Sequence, residues 1–174
     1  LEDRWNPAPM ISGMTPNFGP VAGGTSVEIV GTGFLDAAEV TFGDGVSTFN
    51  IQSDTSILAT SPANAAGQFQ VSVFDSLGAF DGTLGDPSQS IFTYYAAPTI
   101  TMFDPTFGAA GGGTFVSITG TNLSSVTKVE FGNVEGAIIF ASETSIDVPT
   151  PPAPSLAAVV DVKVTTLGGS VTAN

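Results

Sequence analysis

Short runs in which apolar and polar residues alternate recur along the chain. Val27 and Ile29 alternate with Ser26 and Glu28, and Val40 and Phe42 with Glu39 and Thr41. Val71 and Val73 flank Ser72, and Phe92 and Tyr94 flank Thr93. A period of two marks a strand with one buried face. No stretch sustains a 3.6-residue period between capping residues, so helix should be nearly absent. Gly23-Gly24 can supply positive φ in the turn entering the Val27–Val30 run, and Gly31, Gly33 and Gly43 fall where strands should end. Gly43-Asp44-Gly45 reads as a hairpin turn. Pro16 and Pro105 interrupt the first run of each half, which suits an edge strand, because proline cannot donate a ladder hydrogen bond. Phe18 and Phe107 are expected to fold back over the bottom of the core. About seven short strands in fewer than about 100 residues predict an immunoglobulin-like β-sandwich.

The halves are copies. Shifting the chain by 89 residues lays Pro9–Pro62 on Pro98–Pro151 without a gap, with 20 identities in 54 positions. The matches include Gly23-Gly24-Thr25 on Gly112-Gly113-Thr114 and Thr55-Ser56-Ile57 on Thr144-Ser145-Ile146. A fixed repeat of this length means one structural unit used twice. The expected organisation is all-β, with two tandem immunoglobulin-like β-sandwiches: a tail over 1–8, a first domain over 9–95 and a second over 96–174. The inward residues should be Val27, Ile29, Val40, Phe42, Val71 and Val73 in the first domain. In the second they should be Val116, Ile118, Val129, Phe131, Val160 and Val162. The first copy carries an insert, Phe80–Ser90, and the second a proline-rich stretch, Pro149–Pro154. Tyr94-Tyr95-Ala96-Ala97-Pro98 is so short a join that a semi-rigid rod is expected. The first copy closes with Ser90–Tyr95, whereas the corresponding positions of the second fall at or beyond Asn174. Either Ser170–Asn174 pairs as a truncated closing strand or the second domain keeps an open edge. A continuing parent chain is the favoured reading, consistent with the missing initiator Met.

The order of these signals resembles a known family. Pro-x-x-Gly, Gly-Gly-Thr-x-Val-x-Ile-x-Gly, Val-x-Phe-Gly, Ser/Thr-Pro, Val-x-Val and Phe-Thr-Tyr follow one another as in IPT/TIG domains. These are immunoglobulin-like domains found in plexins, transcription factors and bacterial surface proteins. The resemblance covers nearly all of residues 9–174, and what it implies is a fold, since fold alone does not settle function.

Composition narrows the chemistry. With no His and no Cys, histidine general bases, cysteine nucleophiles and Cys/His zinc sites are excluded. The 42% hydrophobic content with 13 Phe is enough to build cores. No run approaches the ~18 apolar residues of a membrane helix, and Leu1–Trp5 is not a signal peptide. The formal charge is −13, with eight acids and no base over residues 9–95 and six acids against Lys128 and Lys163 over 96–174. That sign disfavours nucleic acid and anionic membranes. No lysine accompanies the Gly-Gly turns, so they do not form a phosphate loop.

Two groups of residues remain as candidates. Asp75, Asp81 and Asp86 are the densest carboxylates, a solvated acidic loop in the plainest reading and a calcium site in the sharper one. Glycosidase chemistry would also need paired carboxylates, but nothing predicts an aromatic cleft around these. No catalytic residue and no cofactor other than that calcium is expected. Phe115 should point outward, because Val116 and Ile118 point in; Phe80, Trp5, Phe74 and Tyr95 are further candidates for exposure. Outward aromatics serve as contacts with a neighbour or as sugar platforms. The expected function is a non-catalytic spacer and protein-interaction rod of a larger secreted, cell-surface or virion protein. Its partners would be another protein or neighbouring domains of the parent. The alternative is a carbohydrate-binding accessory module, with or without calcium, that holds polysaccharide for an extracellular enzyme. A transcription-factor-like role is disfavoured by the charge.

Overall fold

The alternation becomes strand pairing in the computed structural model, which describes residues 8–78, 87–153 and 159–174. Two units result, Leu1–Tyr94 and Tyr95–Asn174. The first contains β1 (Met10–Thr15), β2 (Phe18–Pro20), β3 (Ser26–Thr32), β4 (Ala37–Phe42), β5 (Gly45–Val46), β6 (Thr48–Ser53), β7 (Ser56–Thr60), β8 (Gly67–Asp75) and β9 (Ile91–Tyr95). One sheet runs β1-β3-β7-β6 and the other β2-β9-β8-β4-β5. The chain passes between sheets at Pro16, where a residue without an N–H ends β1. Among the described residues helix is confined to two short 3-10 turns, Phe34–Asp36 and Pro87–Ser90.

Val27 and Ile29 from β3, Val40 and Phe42 from β4, and Val71 and Val73 from β8 are fully buried between the sheets. Phe92 and Tyr94 of β9 close one end of this core. The Phe92 ring meets Phe42 edge-on with centroids 5.1 Å apart and Tyr94 at 4.9 Å, and Phe69 meets Tyr94 at 5.7 Å. Edge-to-face pairs of this kind add roughly 0.5–1.5 kcal/mol each beyond burial. The Tyr94 hydroxyl donates to the Pro62 carbonyl at 2.9 Å, so the ring brings its own polar partner into the core.

The second unit comprises β10 (Thr99–Asp104), β11 (Phe115–Thr121), β12 (Val126–Phe131), β13 (Val134–Gly136), β14 (Phe140–Ala141), β15 (Ser145–Pro149), β16 (Val162–Thr166) and β17 (Gly169–Ala173). Its sheets run β10-β11-β15-β14 and β13-β12-β16-β17. Val129 faces Val164 and Phe131 faces Val162, as Val40 faces Val73 and Phe42 faces Val71 in the first unit. The inward pair of β16 is therefore Val162 and Val164. Val160, expected inside, is only partly buried. The loop between the repeats' matched segments differs in length, and only the cross-strand register fixes which valines face in.

Both units place glycine at one crowded position for the same reason. A Cβ on Gly31 would lie 1.9 Å from the Met10 carbonyl oxygen, and one on Gly120 would lie 1.8 Å from that of Thr99. Each sits where the first strand bulges against its partner.

One further expectation changes, and one pair of alternatives is decided. Phe18 is 36% exposed and is not packed on the first core, and Phe107 is 82% exposed and does not cover the second. The C-terminal segment is already a strand, since β17 pairs with β16 from Gly169↔Thr166 to Ala173↔Val162.

Candidate functional site

Asp75 ends β8 and is buried, and its carboxylate is engaged locally. Oδ1 accepts the Leu77 N–H at 2.8 Å, closing the turn that leaves the strand. Thr166 stands at the matching end of β16, and its hydroxyl accepts the Gly168 N–H at 3.2 Å. A neutral hydroxyl performs this task in one unit and a carboxylate in the other. Asp81, Asp86 and Phe80 lie outside the described residues, as does Trp5. Among the described residues no three His, Cys, Asp or Glu side chains gather where they could hold a metal ion.

The outward aromatics are more informative. Phe115 is 65% exposed on β11 and Phe140 52% exposed on β14. Their strands flank β15: Phe115 pairs with Pro149 and Phe140 with Asp147, two residues apart along one strand, so both rings belong to the same outer face. Strands two apart in a sheet are separated by about 10 Å. Exposed Met102 on β10, opposite Thr119, extends the apolar character of this face. The first unit has Ser26 where the second has Phe115. It has Asn50 where the second has Phe140, because Asn50 pairs with Leu58 as Phe140 pairs with Asp147. Sequence reasoning found Phe115 through its inward neighbours. It missed Phe140, whose strand is two residues long and offers no alternation to read.

A second feature lies at the end of the second core. The second unit has an open cleft of about 490 Å³ lined by Val116, Phe131, Pro151, Val160, Val162 and Asn174, among others. Phe107 and Gly108 form part of its rim. The opposite sheet carries a small mixed-charge patch. Lys128 Nζ donates to Glu130 Oε1 at 2.7 Å, and Lys163 pairs across from Glu130. That hydrogen bond holds the Glu130 carboxyl below the usual carboxylate range and the Lys128 ammonium above the usual lysine range. The Lys128 side chain keeps 42% of its surface exposed and that of Glu130 19%, so solvent at the ammonium end screens the pair and keeps it weak.

Two immunoglobulin-like sandwiches in tandem define a modular domain pair. An IPT/TIG domain model matches residues 9–91 and again residues 98–174, and the chain belongs to that family. Over 123 residues, 69% of this chain, it is 31% identical to Plexin-A3 of Homo sapiens; over 122 residues, again 69%, it is 30% identical to that of Rattus norvegicus. The matched stretch is 6% of either protein, so the chain spans a small fraction of these curated relatives. The structure of the full extracellular region of plexin A4, domains 1 to 10, matches with a TM-score of 0.53 at 23% identity, covering 95% of this chain and 15% of that one. At that identity the likeness shows the fold alone.

Proposed function

We propose that the chain is a non-catalytic part of a larger extracellular or cell-surface protein, a spacer that also makes a protein contact through the outer face of β10-β11-β15-β14. One observation carries the reading: Phe115 and Phe140 are exposed together where the other copy of the same fold has Ser26 and Asn50. Two large apolar rings in water are a standing cost that a covering partner removes, at roughly 25 cal/mol per Å² of apolar surface buried. The location is supported by the extracellular setting of the plexin A4 match. A photo-crosslinking residue at position 115 of the intact parent protein on its cells should form protein adducts, to a neighbouring domain or another polypeptide. The same residue at position 26 should form none. Equal yields at both positions would defeat the reading.

The clustering of the two rings also favours a second reading, in which they stack on a polysaccharide. Affinity gels containing a panel of neutral polysaccharides separate the two. Retardation that Phe115→Ser abolishes supports the glycan platform, and unretarded migration together with protein adducts supports the protein contact.

A further inference from the structure

Two carboxylates share the outer face of β10-β11-β15-β14 with the exposed rings. Ile146 and Val148 of β15 are buried in the core, so Ser145, Asp147 and Pro149, which alternate with them, point outward. Phe140 stands directly opposite Asp147, and Phe115 stands opposite Pro149, two residues further along β15. Side chains opposite one another on a sheet face lie about 5 Å apart at Cβ, and diagonal ones about 7–8 Å, within reach of a ring or a long side chain. Asp147 therefore sits between the two phenyl rings. In the same row Ser117 pairs with Asp147 on one side and with Asp104 on the other. Phe103 packs on the core, so its neighbour Asp104 points outward and is exposed. Two strand spacings put it about 10 Å from Asp147.

The first unit lacks this pattern. The residues that match Phe115, Asp147 and Asp104 in the 89-residue shift are Ser26, Leu58 and Thr15. Its own carboxylate on this face, Glu28 of β3, accepts a hydrogen bond from the Ser56 hydroxyl at 3.3 Å. The matching pair in the second unit is Ser117 and Ser145, whose hydroxyls bond each other at 3.2 Å. Among the described residues no side-chain hydrogen bond or ion pair engages Asp147 or Asp104. The whole chain has 3 bases. Lys128 and Lys163 lie on β12 and β16 of the other sheet, and Arg4 lies outside the described residues. The face thus joins apolar rings to negative charge, with no described base beside them.

We infer that the protein covering this face presents a cationic side chain, an arginine above all, seated on Asp147 between Phe115 and Phe140, with a second cation at Asp104. The inference rests on the protein-contact reading and names the chemistry of that partner. Arginine meets both demands with one planar group: its edge donates a fork of hydrogen bonds to a carboxylate, and its face stacks on a phenyl ring. Lysine meets the carboxylate as a point charge and lays its methylene stem along the rings. A purely apolar partner would bury Asp147 and Asp104 without a counter-charge, a cost that offsets the gain from covering the rings. An acidic partner would add like-charge repulsion to a chain whose formal charge is −13.

The test has two arms. In the first, the isotope-labelled chain is titrated by NMR at low salt with acetyl-Gly-Arg-Gly-Arg-Gly-amide. The control peptide carries citrulline, which keeps the arginine shape without its charge. The arginine peptide should move the resonances of Phe115, Ser117, Phe140 and Asp147 well beyond those of Ser26 and Leu58, and the citrulline peptide should move neither group. Asp147→Asn keeps the side chain's size and should weaken the arginine peptide about threefold with the melting temperature unchanged. In the second arm, Asp104→Asn and Asp147→Asn are combined with the photo-crosslinking residue at position 115 of the parent protein. Adduct yield should fall at least about tenfold, as losing one side of a desolvated charge pair implies. A yield that the two substitutions leave unchanged would overturn the cationic partner and leave the protein contact standing. No adduct from position 115 with both acids present would defeat the contact and this inference together. Equal binding of the citrulline peptide, or shifts spread alike over both units, would overturn the inference. Retardation on a neutral polysaccharide that Asp147→Asn abolishes would do the same, by assigning the acid to sugar hydroxyls.

Discussion

Phe92→Ala should convert the closed core end of the first domain into an open cleft like that of the second, and its cost can be worked from the contacts. The ring is fully buried and touches Phe42 and Tyr94 edge-on at 5.1 and 4.9 Å. Truncating a buried Phe costs about 3–5 kcal/mol, with the spread set by how far the site can collapse. Collapse is available on one side only. The Gly19 backbone of β2 lies against the ring and hangs from β9 through the Thr93 amide to the Asn17 carbonyl, a bond the mutation leaves intact. The Phe42 side is fixed by the β4–β8 ladder. A loss near 4 kcal/mol follows, a large part of the 5–15 kcal/mol that holds a typical domain. At roughly 4–8 °C per kcal/mol for a domain of this length, calorimetry should show the first domain's transition falling by about 15–30 °C while the second stays in place. A double-mutant cycle with Phe42→Leu should return a coupling of about 1 kcal/mol. A fall under about 5 °C, or equal movement of both transitions, would show that Phe92 does not close the core as argued.

Tyr94→Phe keeps the ring and removes one hydrogen bond, leaving the Pro62 carbonyl without this donor, at a cost of about 1 kcal/mol in urea denaturation. Burial pushes the Tyr94 phenol above the usual tyrosine range, against a smaller lowering by a Ser61 hydrogen bond. Its contribution to stability is therefore complete below the ordinary tyrosine pKa and lost as pH rises through the raised one, which difference absorbance against the Phe variant will follow. Asp75→Thr should melt like the native protein and Asp75→Ala about 1 kcal/mol lower, because the turn needs an acceptor and not a charge; calcium should shift neither beyond an ionic-strength control. Gly31→Ala should cost several kcal/mol in chemical denaturation, since the new methyl meets the Met10 backbone and no side chain can yield there. Lys128→Met should raise the Glu130 titration midpoint measured by NMR. In the native pair the depressed carboxyl contributes only above its ordinary pKa and stops contributing as pH falls through the lowered value.

Period-two alternation and the 89-residue repeat carried the strands, the two units and most of the core: Val27, Ile29, Val40 and Phe42 face inward with their counterparts Val116, Ile118, Val129 and Phe131. These are local facts, because the side to which a strand residue points depends only on its neighbours along the chain. The outward aim of Phe115 followed from the same rule. Val160 and Val164 could not be told apart that way. Both lie in phase, and the choice between them depends on the partner that β12 presents across the sheet. Phe140 likewise acquires an outer face only through its pairing with Asp147. That residues 96–174 hold no counterpart of Phe92-Thr93-Tyr94 was legible in the sequence, but which of the two outcomes followed, a short paired strand or an open edge, was not. A strand half extends only where a partner supplies hydrogen bonds, and a core end closes only where side chains from several elements meet. The early start of β8 against the late start of β16, and the cleft beneath Phe131, were therefore decided by tertiary pairing alone.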